Sequence, residues 1–325
     1  MAMFSTSARM RCSLDSAVSS LAFNRSSARM MRPDIDCFAI NQPTPQPMAT
    51  PSTRRPYSSR PVMSEQHRRR YMMNTPPPMF KSLRRLGSTM HFEQLNEGVW
   101  AMTYLIVDPS TQQAALVDPV YDYMEAYLER LENDGLTLVY AIATHTHADH
   151  ITACFSLRER LGCEYVMSHE TASLGVSMHV DDEEKIMLGS IPIQFHAAPG
   201  HTNDSMIVHV PGYMMTGDFL FNGEGGVGRD DLPSGRVRIH WDALQVLNRF
   251  EGHTVVCSGH DPPGTEMMSL DWNREHNPVL AMTSFESFKA WQDATAAQLG
   301  GVSKIKTAIP ANLFGEVPER IPWLE

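Results

Sequence analysis

The segment Thr144-His145-Thr146-His147-Ala148-Asp149-His150 places four potential metal ligands within six residues. It follows the apolar run Leu136–Ala143, which has the length of a strand buried on both faces. Alternating histidines at the end of a strand point to the same side, and we expect Asp149 and His150 to turn back from the first turn of a following helix. A polar helix cap would explain Asp149 but not three histidines. The segment therefore predicts a loop that wraps one or two metal ions.

Three later segments each place a potential ligand just after an apolar strand. They are Pro199-Gly200-His201-Thr202, Thr216-Gly217-Asp218 and Ser258-Gly259-His260-Asp261. Taken singly, these residues would be ordinary loop residues more often than ligands. Taken together they predict one site, because strand ends converge at an edge of such a sheet and the glycines let the backbone approach an ion closely.

The remaining pattern alternates strands and helices. A helix is predicted over residues 122–133, with Asn133-Asp134-Gly135 as its stop, and a second from about Asp149 to Leu161, ended by Gly162. A third helix is predicted near Trp241–Phe250. Strands are predicted from Trp100 to Val107 and at Ala114–Val117, Leu136–Ala143, Ile191–Phe195, Met206–Val210, Met214-Met215 and Thr254–Cys257. This alternation indicates an α/β layered domain.

The composition is that of a globular protein with an uneven charge distribution. Hydrophobic residues make up 42% of the 325 residues and charged residues 20%. No stretch reaches the roughly 18 apolar residues of a membrane span, so no membrane association is predicted. Residues 1–90 carry 14 Lys and Arg against 4 Asp and Glu, whereas residues 91–325 carry 13 against 33. Because an acidic body repels phosphate backbones, nucleic-acid binding is not predicted either.

The N-terminal part of the sequence predicts a targeting signal and a linker rather than a folded domain. Residues 1–32 contain five arginines, one acidic residue, many serines and no lysine, which is typical of a transit peptide. The mitochondrial matrix is the preferred destination, although chloroplast signals share this composition. Residues 33–89 are rich in proline and arginine and are predicted to be a disordered linker. The catalytic domain is expected over residues 90–325. Five cysteines without a CxxC pair favour a reducing compartment.

In this order, the motifs HxHxDH, PGHT, TGD and GHD resemble those of the metallo-β-lactamase superfamily over essentially all of residues 91–325. The resemblance implies an αββα sandwich with metal at one edge. Further motifs are similar to the persulfide dioxygenase (sulfur dioxygenase) branch: Met102-Thr103-Tyr104-Leu105, Val117-Asp118-Pro119-Val120, Thr146 to Thr152, Gly228-Arg229-Asp230-Asp231 and Ile309-Pro310-Ala311-Asn312. The predicted mitochondrial targeting signal agrees with membership of that branch. Glyoxalase II, the hydroxyacylglutathione hydrolase, is the related family with a different reaction.

The resemblance implies a mononuclear non-haem iron dioxygenase. Such an enzyme oxidises a low-molecular-weight persulfide, in the simplest case glutathione persulfide, to sulfite with O2. One Fe2+ per chain would be held by His145, His201 and Asp218, which leaves coordination positions for a thiol and for O2. The expected partners are therefore a small thiol or persulfide and O2. Dimers are common in the family, so a homodimer is compatible with the resemblance.

The same resemblance assigns roles to the other polar residues of these motifs. Four residues would form a second metal site or would make hydrogen bonds around the first one: His147, Asp149, His150 and His260. Asp149 and Arg229 are the expected catalytic residues, with Arg229 supporting the site through its charge and pairing with Asp231.

Two alternatives remain open. A glyoxalase II-like thioesterase would use the same seven ligands to hold two Zn2+ ions, with Asp218 bridging them. Motifs alone do not separate the two reactions, but the 65 residues after His260 lack the lysine-rich helix that such hydrolases append. The other alternative is a metal-binding protein without catalysis. Retention of every ligand argues against it, because buried unpaired histidines and carboxylates are costly.

Two departures from the family pattern concern the substrate. Pro262 stands where a tyrosine usually meets glutathione, and Val279 stands where an arginine usually binds a glutathione carboxylate. Losing that arginine removes a charge-assisted hydrogen bond of about 1.5–3 kcal/mol. The identity of the thiol carrier is therefore the least determined part of the prediction.

Overall fold

Two β-sheets pack face to face in the part of the chain that the computed structural model describes, residues 90–96, 101–262 and 265–324. The first sheet has the strand order β1-β2-β3-β4-β5-β6, with strands at His91–Gln94, Tyr104–Asp108, Gln113–Val117, Thr137–Ile142, Glu164–Ser168 and Met178–Val180. The predicted transit peptide (1–32) and linker (33–89), together with Trp100, lie outside the described residues.

The second sheet has the order β11-β10-β9-β8-β7. Its strands are β7 (Lys185–Leu188), β8 (Ile191–Ala197), β9 (Met206–Val210), β10 (Tyr213–Gly217) and β11 (Val255–Ser258). Strands β7 to β10 pair antiparallel, and β10 pairs parallel with β11. In the first sheet, β3 to β6 are parallel. The carboxyl ends of β10 and β11 therefore lie side by side.

Both faces of each sheet are covered. Along β2, Tyr104 and Ile106 face the second sheet, whereas Leu105 and Val107 face the helices on the outside. Because successive side chains of a strand point to opposite faces, a strand covered on both sides must be apolar throughout. This is the physical origin of the unbroken apolar runs in the sequence.

Helices cover the two outer faces and complete the sandwich. Helices α1 (Met124–Asp134) and α2 (Cys154–Leu161) pack on the first sheet. On the second sheet lie α3 (Val237–Ala243), α4 (Leu270–His276) and α5 (Phe285–Leu299). The last helix, α6 (Ile305–Phe314), packs through Ala311 against Ile151 and Ile321. The predicted αββα arrangement is confirmed.

Several predicted elements are confirmed with small changes at their ends. Helix α1 begins at Met124, after a 3-10 turn at Tyr121–Tyr123, and ends where Gly135 adopts a φ of 64°. The region predicted as one helix near Trp241–Phe250 is α3 followed by a 3-10 helix at Leu244–Arg249. Strands β1 and β5 to β7 and helices α4 to α6 were not predicted. Among the described residues, no helix has the length and apolar character that crossing a bilayer requires.

The prediction of a helix from Asp149 was wrong. Helix α2 begins at Cys154, so Asp149 and His150 lie in an irregular loop before it. The amide of Ala153 donates to the Pro119 carbonyl, and the amide of Thr152 donates to the Asn312 side chain. Because these bonds to distant residues hold the segment in another conformation, it does not form the first helical turns that were expected.

Candidate metal centre

The predicted ligands lie where strands of both sheets end. His145 is the third residue after β4, and Asp218 comes directly after β10. His201 and His260 follow the ends of β8 and β11. The predicted convergence is found, but at an edge shared by two sheets rather than along one.

Three of these side chains form what we call the first group: His145, His201 and Asp218. One ligand atom from each lies within 4.8 Å of the others, and all three residues are buried. Asp218 Oδ2 lies 4.0 Å from His145 Nε2 and 3.5 Å from His201 Nε2. The structure thus brings together two imidazoles and one carboxylate around a common point.

A second group consists of His147, Asp149 and His150, again with ligand atoms within 4.8 Å of one another. His260 connects the groups, because its Nε2 lies 3.2 Å from Asp149 Oδ2 and 3.5 Å from Asp218 Oδ1. The rings of His145 and His147 are only 4.1 Å apart between centroids. All seven predicted ligands therefore lie in one continuous site.

Hydrogen bonds determine which nitrogen of each histidine faces the site. The Thr144 hydroxyl donates to Asp118 Oδ2 at 2.8 Å, so at 2.9 Å it accepts from Nδ1–H of His145. His201 Nδ1–H donates to the carbonyl of Arg229 at 2.5 Å. In both residues the lone pair is left on Nε2, the atom nearest to Asp218. The protein therefore presents both histidines of the first group in the form that binds a cation.

Asp118 contacts residues of the candidate site, and the sequence reasoning did not assign it a role. Its Oδ1 accepts from the amide of Thr144 at 2.7 Å and from His147 Nε2–H at 3.1 Å. It is buried and has a φ of 52°, a left-handed conformation that is uncommon outside glycine. The signal was its position immediately after β3, within the quoted segment Val117-Asp118-Pro119-Val120.

The site fits a divalent metal ion. His145 Nε2, His147 Nδ1 and Asp218 Oδ1 are buried and make no hydrogen bond within the described part of the chain. Buried acceptors without a partner are costly, and converging imidazole and carboxylate lone pairs are the donor set of Zn2+ and Fe2+ sites. Cations bound at the two groups would give these atoms the partners that they lack. Gly217 has a φ of 50°, and a Cβ there would lie 2.2 Å from Thr144 Oγ1, so glycine lets the strand ends approach this closely.

The charges around the site differ between its two halves. Burial, together with neighbouring His147 and His201, holds the pKa of His145 well below the usual histidine value, which keeps it neutral. Burial alone would raise the pKa of Asp149, but His150 and His260 hold it well below the usual range. Burial alone would lower the pKa of His260, yet Asp218 and Asp149 raise it to about 9. Without metal, Asp149 and His260 therefore form an ion pair.

Arg229 lies beside the first group, but its guanidinium pairs with a residue outside that group. Its guanidinium pairs with Asp231 through bonds of 2.6 and 2.7 Å. Its contact with the site is the carbonyl that accepts from His201. Orienting that histidine is the contribution that the geometry assigns to Arg229.

The two departures from the family pattern occupy different environments. Val279 is buried in the apolar layer between the second sheet and its helices, whereas Pro262 is exposed. Pro262 lines a cavity of about 410 Å3, together with Asn222, Gly223, Glu224, Glu266 and Trp272. The first three residues of the glycine-bearing stretch Asn222–Gly226 line this cavity, and the amide of Asn222 donates to Asp261 at 2.8 Å.

Comparison with known proteins agrees with this geometry. Residues 101–260 match the metallo-β-lactamase superfamily. The chain is 30% identical to the mitochondrial persulfide dioxygenase ETHE1 of Bos taurus over 215 residues, which is 65% of this chain and 82% of that protein. It is also 30% identical to a hydroxyacylglutathione hydrolase of Bradyrhizobium over 242 residues, covering 67% of this chain and 92% of the hydrolase.

A solved structure gives the same result. The crystal structure of ETHE1 from Myxococcus xanthus superposes with a TM-score of 0.64 at 34% sequence identity. The match covers 68% of this chain and 97% of that protein. The similarity therefore extends over nearly the whole length of the bacterial protein.

Proposed function

This chain belongs to the metallo-β-lactamase superfamily, and from that premise we propose that it is a mononuclear non-haem iron dioxygenase acting on a low-molecular-weight persulfide. The observation that carries the proposal is the buried first group, two histidines and one carboxylate with lone pairs aimed at one point. That set is typical of iron oxygenases. The similarity to persulfide dioxygenases supports a persulfide as the substrate, with glutathione as the simplest carrier.

In the proposed reaction, one Fe2+ per chain would be held by His145, His201 and Asp218. When bound, it would supply open coordination positions and the redox chemistry that oxygenation of the terminal sulfur requires. Thr144 and the Arg229 carbonyl keep the two histidines in their metal-binding form. This arrangement reduces the reorganisation needed when the substrate arrives.

The other polar residues act on the substrate side of the site. Asp149 holds His260 through the 3.2 Å contact, and the His260 side chain is 25% exposed. We assign His260 the role of donating a hydrogen bond to the oxidised sulfur, with Asp149 keeping it protonated. Arg229 contributes through the position of its carbonyl, as described above.

A second candidate is supported by a specific observation. The second group is also complete, and Asp218 Oδ1 lies 3.5 Å from His260 while Oδ2 faces the first group. A carboxylate placed in this way suits a bridge between two Zn2+ ions, as a glyoxalase II-like thioesterase requires. The similarity to a hydroxyacylglutathione hydrolase agrees with this alternative.

Oxidation of glutathione persulfide by the full chain tests the first candidate. The protein is reconstituted with Fe2+ without oxygen, and O2 uptake and sulfite are then measured in one vessel. We expect one O2 and one water to be consumed for each sulfite and glutathione released. An iron-loaded protein that takes up no O2, together with a Zn2+-loaded protein that hydrolyses S-lactoylglutathione, would establish the thioesterase instead.

The cavity lined by Pro262 and Trp272 is the proposed place of the thiol carrier, and it provides a variant for the same assay. Trp272→Ala removes much of one apolar wall and touches no ligand of either group. Loss of that contact area is expected to raise KM about tenfold, with kcat changed little. An unchanged KM would place the carrier elsewhere.

We further propose that the protein acts in the mitochondrial matrix, with residues 1–32 as transit peptide, 33–89 as linker and 90–325 as the catalytic domain. The arginine-rich, acid-poor composition of residues 1–32 supports this, as do the mitochondrial persulfide dioxygenases among the similar proteins. The location of the full chain carrying a C-terminal fluorescent tag tests it, and a cytosolic signal would contradict it.

A further inference from the structure

The loop that carries the second group has little structure of its own. Within residues 145–150 no backbone amide donates to a carbonyl of the same segment, and every residue of this segment belongs to the described part of the chain. Its shape therefore depends on side chains from elsewhere. Asp118 holds Thr144 before the loop, and Asp204 accepts from the amide and hydroxyl of Thr146.

The end of the loop is held by Asn312, which lies in α6. Its Nδ2 donates to the carbonyls of His147 and His150, each at 2.9 Å. Its Oδ1 accepts from the amide of Thr152, also at 2.9 Å. One buried amide thus bonds three backbone groups across more than 150 residues of sequence.

The bonds to the loop explain an asparagine at this helix position. Asparagine is a poor helix former and would cost stability inside α6 without compensation. Its side-chain atoms bond to the loop and not to the helix backbone. The two carbonyls that it holds belong to the first and last residues of the second group, so it determines how their side chains are presented.

We propose that Asn312 is a positioning residue that holds the second group in its metal-facing arrangement. The proposal rests on the proposed function only in taking the second group as part of the metal centre. Among the described residues, the side chain of Asn312 makes its hydrogen bonds to the second-group segment and none to the first group, so its effect is expected mainly in the other half of the site. Without it, the carbonyls of His147 and His150 are left without this donor, and the segment from 147 to 152 opens.

Hydrogen exchange of the metal-free full chain tests this directly. In Asn312→Leu, whose side chain has the same number and branching of heavy atoms, amides of residues 147–153 are expected to exchange about tenfold faster or more. Asn312→Asp retains the acceptor for Thr152 but loses the NH2 group, and the same amides are expected to open. This second variant preserves the test if the leucine variant does not fold.

Ser173→Ala is the matched control. The Ser173 hydroxyl donates to the carbonyl of Asn312 at 2.7 Å, so this change loosens the same helix turn without touching the metal loop. It is expected to increase exchange in α6 and to leave residues 147–153 protected. Equal opening of the loop by Ser173→Ala, or no opening by either Asn312 variant, would overturn the proposal.

Zn2+ binding, measured by competition with a chelator, provides a second readout. Affinity at the second group is expected to fall about 10- to 100-fold in Asn312→Leu, as is usual when an outer partner of a ligand is removed. Affinity at the first group is expected to be retained. Loss of Zn2+ from the first group would contradict the proposal. Hydrogen exchange and Zn2+ binding can both be interpreted even if the protein does not oxidise persulfides, because neither measurement uses substrate or turnover.

Discussion

His201→Ala is expected to lose the bound metal and the activity together. His201 contributes one of the three ligands of the first group, and its Nε2 lies 3.5 Å from Asp218 Oδ2. Loss of an outer partner already weakens metal affinity about 10- to 100-fold, so loss of a ligand should reduce iron occupancy to below about a tenth of wild type. Iron per chain and O2 uptake, measured on the same preparation, check this result.

His196→Ala is the control for losing a buried histidine as such. His196 is 5% exposed, compared with 4% for His201, and it packs against Phe250 on the outer side of the second sheet. Its replacement should lower thermal stability while iron content stays at the wild-type level. Full turnover by His201→Ala would remove the basis of every metal-dependent function considered above.

Asp118→Asn is expected to reduce metal affinity about 10- to 100-fold in a folded protein. In the wild type, the Thr144 hydroxyl and His147 Nε2 both donate hydrogen bonds to the Asp118 carboxylate. An asparagine at this position would place its NH2 group against one of these two donors. The proton of either His145 or His147 must then move to its other ring nitrogen, which places a hydrogen where a ligand lone pair is required. Titration of the metal-free chain with Zn2+ checks the change in affinity.

The expected loss of metal affinity in Asp118→Asn does not come from backbone strain at this position. Asp118 adopts a φ of 52°, and asparagine is among the residues that best tolerate such a conformation. Asp108→Asn is the matched control, because Asp108 is equally buried and accepts hydrogen bonds from Ser110 and Ser190 at the other end of β2. It should lower stability without changing metal affinity. If both variants bind Zn2+ like the wild type, Asp118 has no part in preparing the histidines.

Much of the fold was predictable because its signals are local. The apolar runs reflect strands covered on both faces, and Gly135 ends α1 where the sequence placed a stop. The elements that were missed, such as β6 with three residues, are short and carry little periodicity. The helix predicted from Asp149 failed for another reason, since the bonds that displace its start come from Pro119 and Asn312.

The sequence alone determined the chemical types at the site and their order, because each ligand follows a strand end that local pattern can locate. Tertiary structure decided how those ligands are prepared. It placed Asp118 under Thr144 and His147, it set the Arg229 carbonyl against His201, and it brought Asn312 to the metal loop. These partners lie 26 to 165 residues from the groups they bind. No spacing rule encodes such bonds, because they depend on how the packed sheets and helices bring distant backbone groups within hydrogen-bonding distance.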